Sequence, residues 1–326
     1  WEGNTIHFAD ILTDHQLFRT LFFLKIPYLI CDFVTGFVLF QLLKKDKKKV
    51  FIALTIWALN PFMLHSVYAL GQLDIILAMF IMLSLLAVRA NRPYIAIVCM
   101  TLAAGVKIIP LLLIPPLVIV LGKNPKEQVK LALISVLFFL VPFAPFYLTS
   151  KFAALNIFGF NLGIPILKRD AFIAAYLLFL AVLYFFRKKD TDIVELLMLS
   201  FVTILLLFYS IYDVTLRYFI WVTPLLILLA VRNRIFWVYN VIFLITLFEL
   251  RAAGNSQQWG LFAALHPEFF SSLPIADSYL NLAVNVKYIH QLMYRLFFAS
   301  SLVMVAHIFV VNKNLFELPF LGLRKR

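Results

Sequence analysis

Residues 93–121 read PYIAIVCMTLAAGVKIIPLLLIPPLVIVL, an apolar stretch interrupted only by Thr101 and Lys107. As one straight helix, these residues would run about 44 Å at 1.5 Å each, well beyond the roughly 30 Å of a bilayer's hydrocarbon. Arg89 and Arg92 precede the stretch, and Lys123 and Lys126 follow it. Lys and Arg collect at the cytoplasmic ends of membrane segments, so both ends belong on one side. Gly105 and Pro110 flank Lys107 near the middle, where a helix is easily broken. Two half-length arms meeting near Lys107 satisfy both the length and the charge. Irregular backbone at membrane depth is tolerated only where protein buries it or where it lines a cavity. The stretch therefore predicts the fold class: an all-α, polytopic transmembrane helical bundle, with a re-entrant or broken helix around Lys107 and extracytoplasmic loops.

The remainder of the chain reads the same way. Of its 326 residues, 63% are hydrophobic and 14% charged, against about 45–50% and about 25% in soluble domains. Further apolar spans are expected at 17–43, 50–69, 73–90, 128–148, 171–187, 193–211, 214–231, 233–250 and 286–311. The alternating ten-residue segments of a membrane β-barrel are absent from the sequence. Six basic clusters separate or follow the spans: Lys44–Lys49, Arg89/Arg92, Lys123–Lys130, Arg187–Lys189, Arg232/Arg234 and the 312–326 tail. With the hairpin returning to its own side, all six fall on one face, predicted to be cytoplasmic. The net charge of +13 is thus a signature of membrane orientation, and a nucleic-acid partner is excluded. Cys31 and Cys99 sit inside apolar runs without metal-site spacing, as buried thiols do. We read one transmembrane domain over 1–326, in a cell membrane or, in a eukaryote, the endoplasmic reticulum. Residues 149–170 and 251–285 are its extracytoplasmic loops, and 1–16 is the remnant of a first one. No fixed-period repeat is visible, which leaves an inverted-repeat transporter without support.

Polar residues on the face opposite the basic clusters carry the functional expectation. Asp74, at the start of a span, suits a helix N-terminus, yet a carboxylate at the hydrocarbon boundary is also a site candidate. Lys107, at the hairpin apex, is either a cation for a phosphate or the partner of an acid. Tyr212, Asp213, Arg217 and Tyr218 surround a turn between two spans; Arg217 is suited to phosphate, or anchors the interface. Arg251 opens the long loop with the same two options. His65 fits a satisfied interior histidine as well as a substrate contact, and His290 and His307 are taken as structural. Lys25 and Asp32, seven residues apart on one helix face, are expected to form an intramembrane ion pair. Residues 152–167 look like an amphipathic segment lying along the interface.

These residues fall in an order that carries a resemblance. Asn60-Pro61 follows an aliphatic span, Gly71-Gln72-Leu73-Asp74 follows next, then Lys107-Ile108-Ile109-Pro110, and late in the chain YDVTLRYFIWVTPLLILL over 212–229. The pattern resembles the GT-C class of integral-membrane glycosyltransferases, on its mannosyltransferase-like branch. The resemblance implies transfer of a sugar, mannose foremost, from a polyprenyl-phosphate donor to a lipid- or protein-linked glycan acceptor at the extracytoplasmic face, among membrane lipids. It implies a carboxylate base from the first outer loop, for which Asp10 and Asp14 are the candidates here. It further implies cations on the donor phosphate, namely Lys107, Arg217 and Arg251, and substrate contacts from Gln72, Asp74, His65, Tyr212 and Asp213. No cofactor is required, and a divalent cation is allowed for. The chain opens on Trp1 rather than Met, so an upstream segment is expected, and whether the base is carried there or is Asp10 or Asp14 stays open. Two other readings stay open: a non-catalytic GT-C-like subunit of a larger complex, and a transporter or flippase of lipid-linked substrates.

Overall fold

A computed structural model describes residues 15–69, 71–141, 166–186, 191–212, 216–252 and 286–311. Among them the regular structure is entirely helical. Helix α1 (His15–Leu43) runs through Pro27 without ending. The Asp46 carboxylate caps α2 (Lys47–Ala58) by accepting the Lys49 N–H at 3.1 Å. Asn60 then ends one helical run and starts the next. Its Oδ1 accepts the N–H groups of Phe62 and Met63, and Pro61 occupies the first turn, where its missing N–H costs nothing. The short α3 (Pro61–Met63) widens into a π-helical turn, Leu64–Ala69. Gly71, at φ +64°, turns the chain into α4 (Asp74–Arg89), a left-handed conformation glycine adopts without strain.

The hairpin expected over 93–121 is present. Helix α5 (Pro93–Val106) stops at Lys107, whose backbone is extended at φ −146° and ψ 144°. The chain returns through a 3₁₀ turn (Ile109–Leu113) and α6 (Ile114–Leu121), each opened by proline. Then come α7 (Pro125–Leu140), α8 (Ile166–Phe186), α9 (Ile193–Ile211), the short α10 (Leu216–Phe219), α11 (Thr223–Arg232), α12 (Ile235–Ala252) and α13 (Val286–Val311). The span expected to run unbroken over 214–231 is instead two helices separated by a turn at Ile220–Val222. The second begins where Pro224 can sit in a first turn.

Two elements form the centre. Every residue from Leu196 to Leu206 on α9 is buried, as is every residue from Trp221 to Ala230 on and before α11. A helix apolar on all sides belongs in such a position. The outer helices turn their aromatic residues outward: Phe33, Phe51 and Phe185 are 70%, 71% and 72% exposed, an arrangement that suits lipid and not water. Four described helical stretches are long and apolar enough to cross a membrane: Phe22–Leu43, Lys47–Tyr68, Ile193–Ile211 and Tyr288–Val310.

The helix ends sort into two groups. At one end Arg89 donates to the Leu42 carbonyl at 2.6 Å, and Arg232 lies 3.6 Å from Glu195. A cavity of about 600 Å³ there brings together Arg92, Lys123, Asp192 and both feet of the hairpin. The basic turns around 43–47, 89–93, 121–125 and 232–235 thus share one end. The hairpin apex and the 71–74 turn meet away from it.

Candidate active site at the hairpin break

Where α5 breaks, Lys107 meets the first residue of α4. Lys107 Nζ stands 2.6 Å from Asp74 Oδ1. Asp74 is fully buried, while the Lys107 side chain remains 29% exposed. The same Oδ1 accepts the indole N–H of Trp221 at 2.7 Å. Asp74 Oδ2 is buried with no hydrogen-bond partner among the described residues. Two rings complete the surroundings of the ammonium, Tyr218 at 4.7 Å and Trp221 at 5.5 Å from their centroids. Such contacts stabilise a cation by about 0.5–2 kcal/mol, more as water is excluded. Tyr218 is held in turn by its own carbonyl, which accepts the hydroxyl of the buried Tyr209 at 2.6 Å.

Three elements distant in sequence therefore fix one ammonium group. The N-terminus of α4 supplies the carboxylate, the broken end of α5 the cation, and α10 with the following turn the aromatic walls. A carboxylate buried this completely needs its counter-ion. Removing one member of a buried pair costs about 3–5 kcal/mol, because a charge is left uncompensated. Lys107 thus pairs with an acid, one of the two roles expected of it, and keeps part of its side chain exposed. An ammonium has three N–H donors, and Asp74 takes one.

Of the other residues singled out in the sequence, Gln72 lies in the turn that leads into Asp74, with its backbone N–H on the Ser66 carbonyl at 3.0 Å. His65 is half-buried in the π-helical turn. Tyr212 ends α9, stacked on Phe208 with centroids 4.4 Å apart and edge-on to Phe172 at 5.6 Å. Burial pushes its hydroxyl above the usual tyrosine range, against an opposing pull from Arg169. Tyr176 ties α8 to the hairpin by donating to the Leu112 carbonyl at 2.9 Å. Asp10, Asp14 and Asp213 lie outside the described residues, as do residues 152–165 of the interfacial segment expected at 152–167, whose last two residues begin α8. Arg217 falls on α10 and Arg251 in the last turn of α12, with side chains outside the described set. Among the described residues no three of His, Cys, Asp and Glu are grouped to hold a metal ion.

One expectation is corrected. Lys25 and Asp32 do not pair with each other. Seven residues separate them along α1 by about 10 Å, and each finds a partner on the neighbouring run. Asp32 accepts the Trp57 indole N–H at 2.6 Å and the Tyr68 hydroxyl. Lys25 Nζ donates to the Tyr68 carbonyl at 2.6 Å. The contribution of Trp221 was also missed. The residue stands in the Trp-x-x-Pro stretch that carries part of the resemblance, but its bond to Asp74 joins positions 147 residues apart. Nothing in local periodicity carries such a pairing.

An all-helical bundle with membrane-length apolar helices agrees with the GT-C-like membrane glycosyltransferase that the sequence resembles. Residues 28–210, more than half of the chain, match Glycosyltransferase family 87, and the chain belongs to that family. A stretch of 106 residues is 29% identical to GPI mannosyltransferase 1 of Saccharomyces cerevisiae (strain ATCC 204508 / S288c), covering 32% of this chain. The matched stretch spans about a quarter of that relative's length, 26%. No solved structure matches. The family match includes both Asp74 and Lys107 and stops short of Trp221.

Proposed function

We propose that this chain transfers a sugar, mannose foremost, from a polyprenyl-phosphate donor to a lipid- or protein-linked glycan acceptor. The reaction takes place at the end of the bundle away from the basic turns, which is the extracytoplasmic face. One observation carries the reading: a partly open ammonium, Lys107, fixed at a helix break inside the membrane domain by a buried carboxylate and two aromatic rings. In the transfer, the bond from the anomeric carbon to the donor phosphate breaks and its electron pair stays on the phosphate oxygen. The acceptor oxygen bonds to that carbon, and its proton passes to a carboxylate base, Asp10 or Asp14. Lys107, Arg217 and Arg251 hold the phosphate as its charge grows. Gln72, Asp74, His65, Tyr212 and Asp213 surround the sugars.

The test is sugar transfer from a synthetic polyprenyl-phosphate mannose in detergent, normalised to folded protein. A charge-assisted contact contributes about 1.5–3 kcal/mol, so Arg217→Ala should slow turnover roughly ten- to a hundredfold. Lys107→Ala alone would also expose Asp74 to the cost of an unpaired buried charge. The cleaner variant is therefore the double change Asp74→Asn with Lys107→Gln, which removes both charges and keeps groups able to hydrogen-bond. Loss of turnover with folding retained supports the reading. Transfer at the parent rate in both variants means that the phosphate is held elsewhere.

A further inference from the structure

The basic end of the bundle holds a cavity that sugar transfer at the other end does not use. Its volume is about 600 Å³, within the roughly 300–1,000 Å³ of small-molecule pockets. Three turns build its walls, each tied by its own hydrogen bonds. After α4, Asn91 takes a left-handed conformation at φ 56°. Its N–H donates to the Val88 carbonyl and that of Arg92 to the Ala87 carbonyl, both at 2.9 Å, the paired closure of a Schellman turn. After α6 the chain doubles back so closely at Gly122 that a Cβ there would lie 2.3 Å from Gln128 Cγ. Asn124 Oδ1 then accepts the Glu127 N–H and Glu127 Oε2 the Lys123 N–H, both at 2.9 Å, a reciprocal pair akin to a capping box. Before α9, Asp192 Oδ1 accepts the N–H groups of Val194 and Glu195 at 3.0 and 3.3 Å.

These turns set charges of both signs around one space. Arg92 and Lys123 line the cavity as cations, Glu127 and Asp192 as carboxylates. None of the four ion pairs among the described residues includes any of them. Each carboxylate is held by backbone N–H groups through one oxygen, and no described residue bonds to its other oxygen. Arg89 also lines the cavity, with Nη1 on the Leu42 carbonyl. Arg187, Lys188, Lys189 and Asp190, which precede this wall in sequence, lie outside the described residues and take no part in the assignment. Helix α9 has 19 residues, about 28 Å at 1.5 Å each, nearly the full thickness of hydrocarbon. Its first turn, and the cavity with it, therefore falls at the level of the lipid headgroups. Val88, Leu121 and Ile193 give the same cavity apolar wall.

We propose that this cavity binds a phospholipid with a phosphoethanolamine headgroup, its phosphate toward Arg92 and Lys123 and its ammonium toward Glu127 and Asp192. A guanidinium suits phosphate, and basic pockets between membrane helices take lipid headgroups. The two carboxylates select the rest of the headgroup. A primary ammonium brings a positive charge and three N–H donors to their open oxygens. A trimethylammonium brings the charge without a donor, and a glycerol headgroup brings no positive charge at all. The apolar wall and the headgroup depth suit a molecule with acyl chains, which a soluble phosphoamine lacks. One bound lipid would then join both feet of the hairpin to the start of the central helix α9. The proposal is independent of the reaction at the far end.

The experiment titrates the purified full chain in detergent with phosphatidylethanolamine, and with phosphatidylcholine and phosphatidylglycerol of the same acyl chains. Bound lipid is followed by native mass spectrometry and by the thermal unfolding midpoint. The ethanolamine lipid should bind roughly tenfold tighter than either of the others and raise the midpoint most. Arg92→Gln with Lys123→Gln should weaken its binding roughly tenfold. Asp192→Asn with Glu127→Gln keeps oxygen acceptors for the backbone N–H groups, and should erase the preference over phosphatidylglycerol. Lys44→Gln with Lys45→Gln removes as much charge at the same end but outside the cavity, and should leave binding as in the parent. Should a cavity variant not fold, the parent's order among the three headgroups decides. Equal binding of the three lipids overturns the proposal, as do cavity variants that bind like the parent or a Lys44/Lys45 variant that loses as much. Displacement of the lipid by equimolar O-phosphoethanolamine or inorganic phosphate gives the cavity to a soluble phosphate and removes the lipid.

Discussion

Asp74 shows how much one buried carboxylate can organise. Its Oδ1 receives both the Lys107 ammonium and the Trp221 indole, at 2.6 and 2.7 Å. Trp221→Phe keeps the ring against Tyr209 and Tyr218 and deletes one N–H donor. Hydrogen bonds to charged groups contribute about 1.5–3 kcal/mol, so the variant should lower the thermal unfolding midpoint in detergent. An unchanged midpoint would mean that Lys107 alone suffices to hold the carboxylate. At this scale the sequence was legible where two constraints coincided. Lys107 stood out because the stretch was too long and was flanked by like charge on both sides. Asp74 stood out as a charge at a span boundary. Lys25 and Asp32 were misread because a shared helix face says which way two side chains point, not that they touch across two turns. Tyr68, which engages both, belongs to another element.

At the scale of elements, prolines and their caps decide where helices stop. Asn60 satisfies two N–H groups at the start of α3 and so lets the chain pass from α2 into the π-helical turn. Replacing such a cap by alanine costs about 0.5–2 kcal/mol, and Asn60→Ala should lower the unfolding midpoint while Asn60→Asp preserves it. Phe62, directly after the cap, packs edge-on to Phe219 of α10 with centroids 5.1 Å apart. The cap therefore sets the register of α3 against the helix that carries Tyr218. The hairpin at 93–121 was readable because length, charge, Gly105 and Pro110 all pointed to a break. The division of 214–231 was not read, because that stretch has an ordinary span length, although Pro224 lies ten residues into it, where proline interrupts a helix.

For the molecule as a whole, the basic turns gather at one end and the ion pair lies away from them. On the positive-inside tendency, the basic end is proposed to be cytoplasmic. A cysteine introduced at Lys47 should then resist a membrane-impermeant thiol reagent applied outside intact cells, and react once the membrane is opened. Labelling from outside would invert the orientation and with it the side of the proposed reaction. The burial of α9 and α11 on all sides could be anticipated only in part. Both are apolar throughout, but so are the lipid-facing helices, and composition does not distinguish a greasy core from a greasy surface.

The shortness of α5 has a consequence for the bilayer itself. From Pro93 to Val106 the helix rises about 21 Å, some 9 Å less than the roughly 30 Å thickness of hydrocarbon. In the proposed reaction, the donor phosphate therefore descends below the plane of the phospholipid headgroups to meet the Lys107 ammonium. Hydrophobic mismatch costs fractions of a kcal/mol per Å, so the depth of that descent depends on acyl-chain length. In vesicles of short-chain phospholipid the phosphate starts nearer its destination, and transfer should be faster than in long-chain vesicles of equal fluidity. A rate independent of bilayer thickness would mean that the protein carries its own local thinning of the membrane around the hairpin.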